Sequence, residues 1–211
     1  MSVTTRRFAV ATLFTGVIAG LVGLACIHLL HWIQALAWDM HSGTLLEAVS
    51  AASPARRVLN LVLGGILGAA SWFFLFRRSR AITSVSAAVG GTPMPPLRAT
   101  WHALTQVLIV GLGASVGREV APREMAAAFS AAAADRLGLT PEDRRIIVAC
   151  GAGAGLAAVY SIPLSGAIYT LEILLVSRSA RAVAPAFCTS AIAVLISTGF
   201  TRPASFYTVP T

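Results

Sequence analysis

Five long stretches of this chain carry no charged residue, and they constrain its fold more than any other feature. Each stretch reaches or approaches the roughly 20 apolar residues that a bilayer-spanning helix needs. Only 11% of the 211 residues are charged, whereas a soluble domain has about 25%. The sequence therefore predicts an all-α, polytopic membrane protein. The charge-free stretches cover residues 8–38, 58–76, 99–117, 146–171 and 182–201.

The basic residues predict how the chain lies in the membrane. All 16 are arginines, they give a net charge of +8, and most lie at the ends of the apolar stretches. This distribution is typical of interfacial anchors and of the positive-inside bias, and not of a nucleic-acid surface. We predict a multi-pass protein of the cell (inner or plasma) membrane, surrounded by lipid, with no nucleic-acid partner. Arg6–Arg7 and the cluster at 77–80 predict a cytoplasmic N-terminus and an external loop at 39–57.

The pattern divides the chain into three regions. Residues 1–80 are predicted to form a two-helix membrane scaffold hairpin, in which Gly16 with Gly20 and Gly64 with Gly68 allow close helix approach. Residues 178–211 are predicted to form a further membrane helix and a tail. Between them, residues 81–177 contain repeated glycines and prolines that interrupt the apolar segments.

The interruptions in the middle region predict three helix breaks, at 90–96, 111–117 and 151–163. Broken helices are tolerated at membrane depth only where they line a cavity or are buried in protein. Transporters bind anions with the N-termini of such discontinuous helices. Residues 81–177 are therefore predicted to form an anion-site region, with broken or re-entrant helices.

The segment Gly117–Arg118–Glu119 places a carboxylate where a helix is predicted to start. A helix N-terminus presents unpaired N–H groups and about half a positive charge. Glu119 would occupy the anion position itself and leave it when protonated or displaced, which predicts a gate. A structural ion pair between Arg118 and Glu119 at a membrane interface remains an equal alternative. Thr92, followed by prolines, is predicted to begin another helix.

The sequence does not predict an enzyme. Residues 153–158 satisfy the G-x-G-x-x-A fingerprint of dinucleotide-binding folds, but the apolar stretch that follows lacks a polar face and contains Pro163. The three cysteines lack the paired spacing of a zinc site or a disulfide framework. We therefore expect no catalytic residue, no metal site and no cofactor.

Three segments resemble the CLC family of chloride channels and chloride/proton antiporters. GREVAP at 117–122 resembles the family's G-R-E-x-P signature, and GAGAGLAAVYSIPLSGAIYTLE at 151–172 is similar to the family's next segment, a helix, a proline turn and a second helix ending in an acid. GTPMP at 91–95 resembles a variant of G-S-G-I-P. The resemblance implies the fold of the first inverted repeat, and chloride or a similar anion as the transported ligand.

The resemblance also implies roles for individual residues. Glu119 would be the gating glutamate, and Thr92 would stand where a serine hydroxyl contacts the central anion. The proton-transfer glutamate of the antiporters would fall at Ile173, so Glu172 next to it is the candidate for a proton pathway. Pro122 follows the glutamate one position later than usual. The remaining implied anion-binding residues are Gly91, Gly117, Arg118, Val120 and Ala121.

Members of the family build a pore from two inverted repeats, and this chain contains one set of breaks. Tyr160, Tyr169 and Tyr207 are poor matches for the tyrosine that the second half contributes. We therefore expect the N-terminal half of a pore, completed by an absent C-terminal segment, a second chain or a self-associated copy such as a homodimer. The alternative is a non-conducting membrane scaffold or assembly subunit that keeps a CLC-like half fold.

Overall fold

The protein is entirely helical in the part that the computed structural model describes, residues 3–40, 44–77, 82–177 and 179–199. The predicted fold class is confirmed. Three of the helices, α1, α3 and α9, are long and apolar enough to cross a membrane. The helices are α1 (Val3–Trp38), α2 (Leu45–Ala51), α3 (Pro54–Arg77), α4 (Val85–Val89), α5 (Pro96–Gly111), α6 (Val120–Arg136), α7 (Pro141–Tyr160), α8 (Pro163–Ile168), its π-helical continuation (Tyr169–Leu175) and α9 (Ala180–Gly199).

The two ends of α1 define the two ends of the bundle. At the Trp38 end, the Trp38 indole donates a hydrogen bond to the carbonyl of Gly111 at 2.9 Å. The Asn60 amide donates to the carbonyl of Ala37 at 2.8 Å. The last turn of α5 and the first part of α3 therefore lie at the Trp38 end. At the Val3 end, Arg98 near the start of α5 donates to Leu75 near the end of α3.

Within residues 1–80, α1 and α3 contact each other at the Trp38 end, but each packs mainly against other helices. Helix α1 packs against α7 and α9, whereas α3 packs against α5. The glycines do allow close approach between helices, but α1 approaches α9 and α3 approaches α5. A Cβ at Gly16 would lie 2.9 Å from Ile192 of α9, and one at Gly68 would lie 3.0 Å from Ile109 of α5. The scaffold and the anion-site region thus share one core.

The loop between α1 and α3 contains a helix that the sequence did not predict. Thr44 and Glu47 form a capping box at the start of α2, in which the Glu47 N–H donates to the Thr44 hydroxyl and the Thr44 N–H donates to the Glu47 carboxylate. The pattern Thr-x-x-Glu is the sequence signature of this motif. Residues 41–43 of the loop lie outside the described residues.

The third break lies at the C-terminal end of its predicted range, 151–163. Helix α7 runs without interruption from Pro141 to Tyr160, and the break comes at Ser161, which has a φ of 56°. The glycines inside α7 serve packing instead. A Cβ at Gly155 would lie 2.5 Å from the Pro122 carbonyl oxygen of α6, and one at Gly153 would reach the Gly166 carbonyl oxygen of α8. No strand precedes these glycines in the described chain, so the dinucleotide-binding interpretation fails.

Ion pairs concentrate at the Val3 end. Asp143, which is completely buried, accepts two hydrogen bonds from the Arg181 guanidinium at 2.7 and 2.9 Å. Arg144 pairs with Asp135 at 2.6 Å. These contacts tie the first turns of α7 and α9 and the last turn of α6 together. Arg78, Arg80 and Arg178, which the charge pattern also places at this end, lie outside the described residues.

Candidate functional site

The segment between α5 and α6 forms the predicted second break. After Gly111 the chain leaves the helix, and Gly113 has a φ of 104°, which only glycine adopts readily. Helix α6 begins at Val120, with Pro122 in its first turn, as predicted. Proline is tolerated there because the first N–H groups of a helix have no intrahelical acceptor. The helix start that the site requires is therefore present.

Glu119 immediately precedes α6, but its carboxylate does not occupy the helix start. The side chain makes no capping hydrogen bond to α6. Oε2 of Glu119 instead accepts a hydrogen bond from the Tyr160 hydroxyl at 3.2 Å. The carboxylate folds back over Gly117, where a Cβ would overlap it. In this conformation the Glu119 carboxylate therefore lies off the start of α6.

Tyr160 connects both charged residues of the signature. The Arg118 guanidinium lies over its ring, 5.1 Å from the centroid, while its hydroxyl contacts Glu119. Arg118 also lines a narrow cleft with apolar residues of α1, α5 and α7, among them Leu30, Val107 and Val159. Ionisable residues among membrane helices are costly and usually mark a functional pathway. The sequence treated Tyr160 as a poor match for a pore tyrosine, and so missed its contact with Glu119.

Thr92 does not begin a helix. Its N–H donates to the Ala87 carbonyl at 3.0 Å, and the N–H of Gly91 donates to Ala88 at 3.1 Å. Both residues therefore end α4, whereas α5 starts at Pro96. The hydroxyl at a helix start in this region belongs to Ser84, which caps the Ala87 N–H at 3.2 Å. The prediction that Thr92 begins a helix is wrong.

Gly91 and Thr92 also lie far from Glu119. The Ala88 carbonyl accepts a hydrogen bond from Arg144 in the first turn of α7. Tyr160, which contacts Glu119, is the last residue of the same helix. The rise per residue of an α-helix makes that separation about 24 Å. Of the predicted anion-binding residues, the structure brings only Gly117, Arg118, Val120 and Ala121 together with Glu119.

A second arginine lies on α6, one turn after Glu119. Nη1 of Arg123 donates to the Tyr169 hydroxyl at 3.1 Å, and the guanidinium lies 5.7 Å from the centroid of that ring. Tyr169 opens the π-helical segment, in which Glu172 and Ile173 are both exposed. The family pattern gave no signal for the contact between Arg123 and Tyr169, because the two residues are 46 positions apart and meet only in the folded chain.

A buried ionisable pair connects α5 with α6. Nδ1 of His102 lies 2.6 Å from Oε2 of Glu124, and their side chains are only 17% and 11% exposed. Gln106 reaches the same ring nitrogen at 2.9 Å. Two features of the sequence could have indicated this pair. His102 and Gln106 stand four residues apart in an otherwise apolar stretch, and Glu124 lies in an alanine-rich helix.

Comparisons with known proteins agree on one family. The family model described as voltage gated chloride channel matches residues 64–211. The voltage-gated ClC-type chloride channel ClcB of Escherichia coli O81 (strain ED1a) is 30% identical over 198 residues, which are 91% of this chain and 47% of the relative. The protein of that name from Shigella boydii serotype 18 (strain CDC 3083-94 / BS512) has the same identity and coverage.

A solved structure shows the same fold. The crystal structure of a slow cyanobacterial Cl⁻/H⁺ antiporter superposes with a TM-score of 0.73 at 20% sequence identity, covering 97% of this chain and 50% of the antiporter chain. The chain thus spans about half the length of the relatives that it matches. Sequence and fold together show that this chain belongs to the voltage-gated chloride channel family.

Proposed function

We propose that this chain forms one half of a membrane chloride pathway, in which an anion binds at the start of α6 and Glu119 controls access. One observation carries the proposal. The Glu119 carboxylate lies beside the start of α6 without capping it, and it accepts a hydrogen bond from the Tyr160 hydroxyl. A carboxylate that is adjacent to an anion position, but held away from it, is arranged to exchange with an anion. The similarity to the ClC-type chloride channel ClcB supports chloride as the ligand.

The physical basis is the charge of the helix start. The aligned peptide dipoles of α6 place about half a positive charge at Val120 and Ala121, and their N–H groups have no acceptor within the helix. When Glu119 points toward Tyr160, this position is open to an anion. Rotation of the side chain onto the helix start would close it. Protonation of Glu119 removes the competing charge, so acidification favours the open arrangement. No enzymatic step and no cofactor is involved.

The pathway is proposed to need a second component. Residues 115–117, between α5 and α6, are exposed, and irregular backbone at membrane depth must be covered by protein or line a cavity. A C-terminal half, a second chain or a second copy of this chain would supply the cover. The arginines of the Val3 end, in α1, α6 and α7, support a cytoplasmic N-terminus in the cell membrane.

Proton coupling is proposed to be weak. Ile173 cannot carry a proton, and Glu172 is the neighbouring carboxylate that can. Proton movement driven by a chloride gradient should be small in liposomes, and Glu172→Gln should abolish what remains. Strong coupling that survives in Glu172→Gln would place the proton pathway elsewhere.

The gate is tested with Glu119→Gln, which mimics the protonated side chain. Purified protein in liposomes should show chloride efflux that rises on acidification, and the variant should lose most of this dependence. Glu142→Gln is the matched control, because Glu142 is an exposed acid in the first turn of α7 and should behave as wild type. Unaltered pH dependence in Glu119→Gln would refute the gate.

The need for a second component is tested with the same liposomes. Chloride efflux from this chain should appear only with assemblies larger than one copy, or after addition of a C-terminal half from a relative. The oligomeric state is measured by mass photometry in detergent. Efflux from single copies would contradict the half-pore proposal while leaving the role of Glu119 intact.

A further inference from the structure

Arg123 is a cation inside the helical bundle whose surroundings in the fold leave its charge unbalanced. It lies in the second turn of α6, and its side chain is partly buried. Nη1 donates to the Tyr169 hydroxyl at 3.1 Å, and the ring of Tyr169 lies under the guanidinium. Nε is buried and has no hydrogen-bond acceptor. A guanidinium keeps its charge at all accessible pH values, so this site is permanently positive.

The nearby carboxylates are engaged elsewhere. Within the described ranges, no acidic side chain forms an ion pair with Arg123. Glu124 bonds to His102 of α5, on another face of α6. A tyrosine hydroxyl and an aromatic face stabilise a cation, but they do not neutralise it. Buried charges in membrane proteins are paired or lie along ion pathways.

Glu119 does not supply the missing charge either. Residues four apart share a helix face, with their Cβ atoms about 5–6 Å apart. The Glu119 carboxylate nevertheless turns back toward Gly117 and Tyr160, away from the turn that carries Arg123. The helix face between Glu119 and Arg123 therefore combines the positive helix start with a full positive charge.

We propose that Arg123 binds the transported ion, a small inorganic monoanion such as chloride, one helical turn inside Glu119. This rests on the proposed function and assigns a further residue to the same pathway. The buried Nε–H and the second terminal nitrogen of the guanidinium are the donors, and Tyr169 holds their plane in place. Glu119 and Arg123 then act in series, the first as a competing negative charge and the second as a fixed positive one.

A formal cation in the pathway predicts tight but slow transport. Backbone N–H groups alone hold an anion weakly enough to release it quickly, whereas charge-assisted hydrogen bonds are roughly twice as strong as neutral ones. Removal of the cation should therefore weaken binding, so that flux saturates only at higher chloride concentrations. A purely structural arginine would affect stability without altering anion affinity.

The test measures chloride binding by calorimetry and by the chloride-dependent rise in melting temperature, with gluconate as the reference anion. Arg123→Gln should bind chloride at least tenfold more weakly than wild type, and its melting temperature should no longer respond to chloride. Arg123→Lys keeps the charge and should stay within threefold of wild type. Arg136→Gln makes the same change at an exposed position of α6 and should leave affinity unaltered.

Three outcomes overturn the inference. They are wild-type affinity in Arg123→Gln, an equal loss in Arg136→Gln, or an effect of chloride on melting that persists without the arginine. If Arg123→Gln does not fold, Tyr169→Phe provides the second measurement, because loss of the hydroxyl should weaken chloride binding without removing a charge. Wild-type protein that binds no chloride at all would refute the proposed function as well. If the wild type binds chloride and both Arg123→Gln and Tyr169→Phe bind it equally well, only this inference is refuted.

Discussion

His102 and Glu124 share a hydrogen bond of 2.6 Å between α5 and α6, in a part of the bundle where neither side chain is more than 17% exposed. The ring nitrogen that contacts Glu124 also meets Gln106. When that nitrogen carries the proton, its N–H donates to the Glu124 carboxylate. Trp72 of α3 covers the imidazole, with ring centroids 6.1 Å apart. The pair thus connects three helices.

Glu124→Ala should destabilise the protein by about 1–3 kcal/mol, because the buried imidazole loses its shortest hydrogen bond. The double variant His102→Leu with Glu124→Met should recover most of that loss, since both polar groups are then replaced by apolar ones of similar size. The free energy of unfolding is measured by denaturant titration in detergent. Asp135→Ala, at an ion pair whose acid is 58% exposed, should cost at most about 1 kcal/mol. Equal losses in the single and double variants would contradict the pairing.

Tyr160→Phe should reduce chloride efflux at neutral pH about tenfold. A hydrogen bond to a charged group contributes about 1.5–3 kcal/mol, and without it the Glu119 carboxylate is expected to spend more time on the α6 start. Efflux should recover at low pH, where protonation of Glu119 removes the competition. In a Glu119→Gln background the same substitution should have no effect on efflux. A loss that is identical in both backgrounds would mean that Tyr160 acts on packing alone.

Gly155→Ala should destabilise the protein by about 1–3 kcal/mol through overpacking, because a Cβ there would lie 2.5 Å from the Pro122 carbonyl oxygen. Gly65→Ala is the matched control, since nothing lies within 4 Å of a Cβ at that position in α3. It should be neutral or stabilise by about 0.5–1 kcal/mol, because alanine favours helix more than glycine does. Melting temperatures in detergent compare the two. Destabilisation of the same size in both variants would mean that the contact with α6 is not the cause of the loss.

A cysteine at Ala51 should react with an impermeant thiol reagent in intact cells. Ala51 is exposed in α2 at the Trp38 end of the bundle, and this choice leaves the Glu47 cap untouched. Arg136→Cys at the Val3 end should react only after the cells are permeabilised. Both variants are made in a Cys188→Ala background, because Cys26 and Cys150 are already buried. The opposite labelling pattern would reverse the proposed orientation.

The sequence predicted the helix start at Val120 because the residues that determine it are contiguous. The signature at 117–122 and the helix start at Val120 follow from local rules about proline and glycine. Thr92 was assigned to a helix start because α4 was not recognised. Helix α4 has only five residues, too few for a periodic signal. Nothing in the sequence therefore showed that the glycine–proline cluster follows the end of one helix. The glycines of α7 were misread because glycine marks both breaks and close contacts. Contacts such as that of Tyr160 with Glu119 depend on tertiary packing, which spacing alone does not reveal.

The burial of Asp143 has a consequence for how the chain is made. Helix α7 lies at the centre of the bundle, yet it is not among the helices that are apolar enough to enter a bilayer by themselves. The arginine that neutralises Asp143 lies in α9, which is synthesised after α7. Until α9 is made, we therefore expect the Asp143 carboxylate to stay in water or at the membrane surface. We expect α7 to enter the membrane together with α9, because Arg181 then neutralises the buried acid.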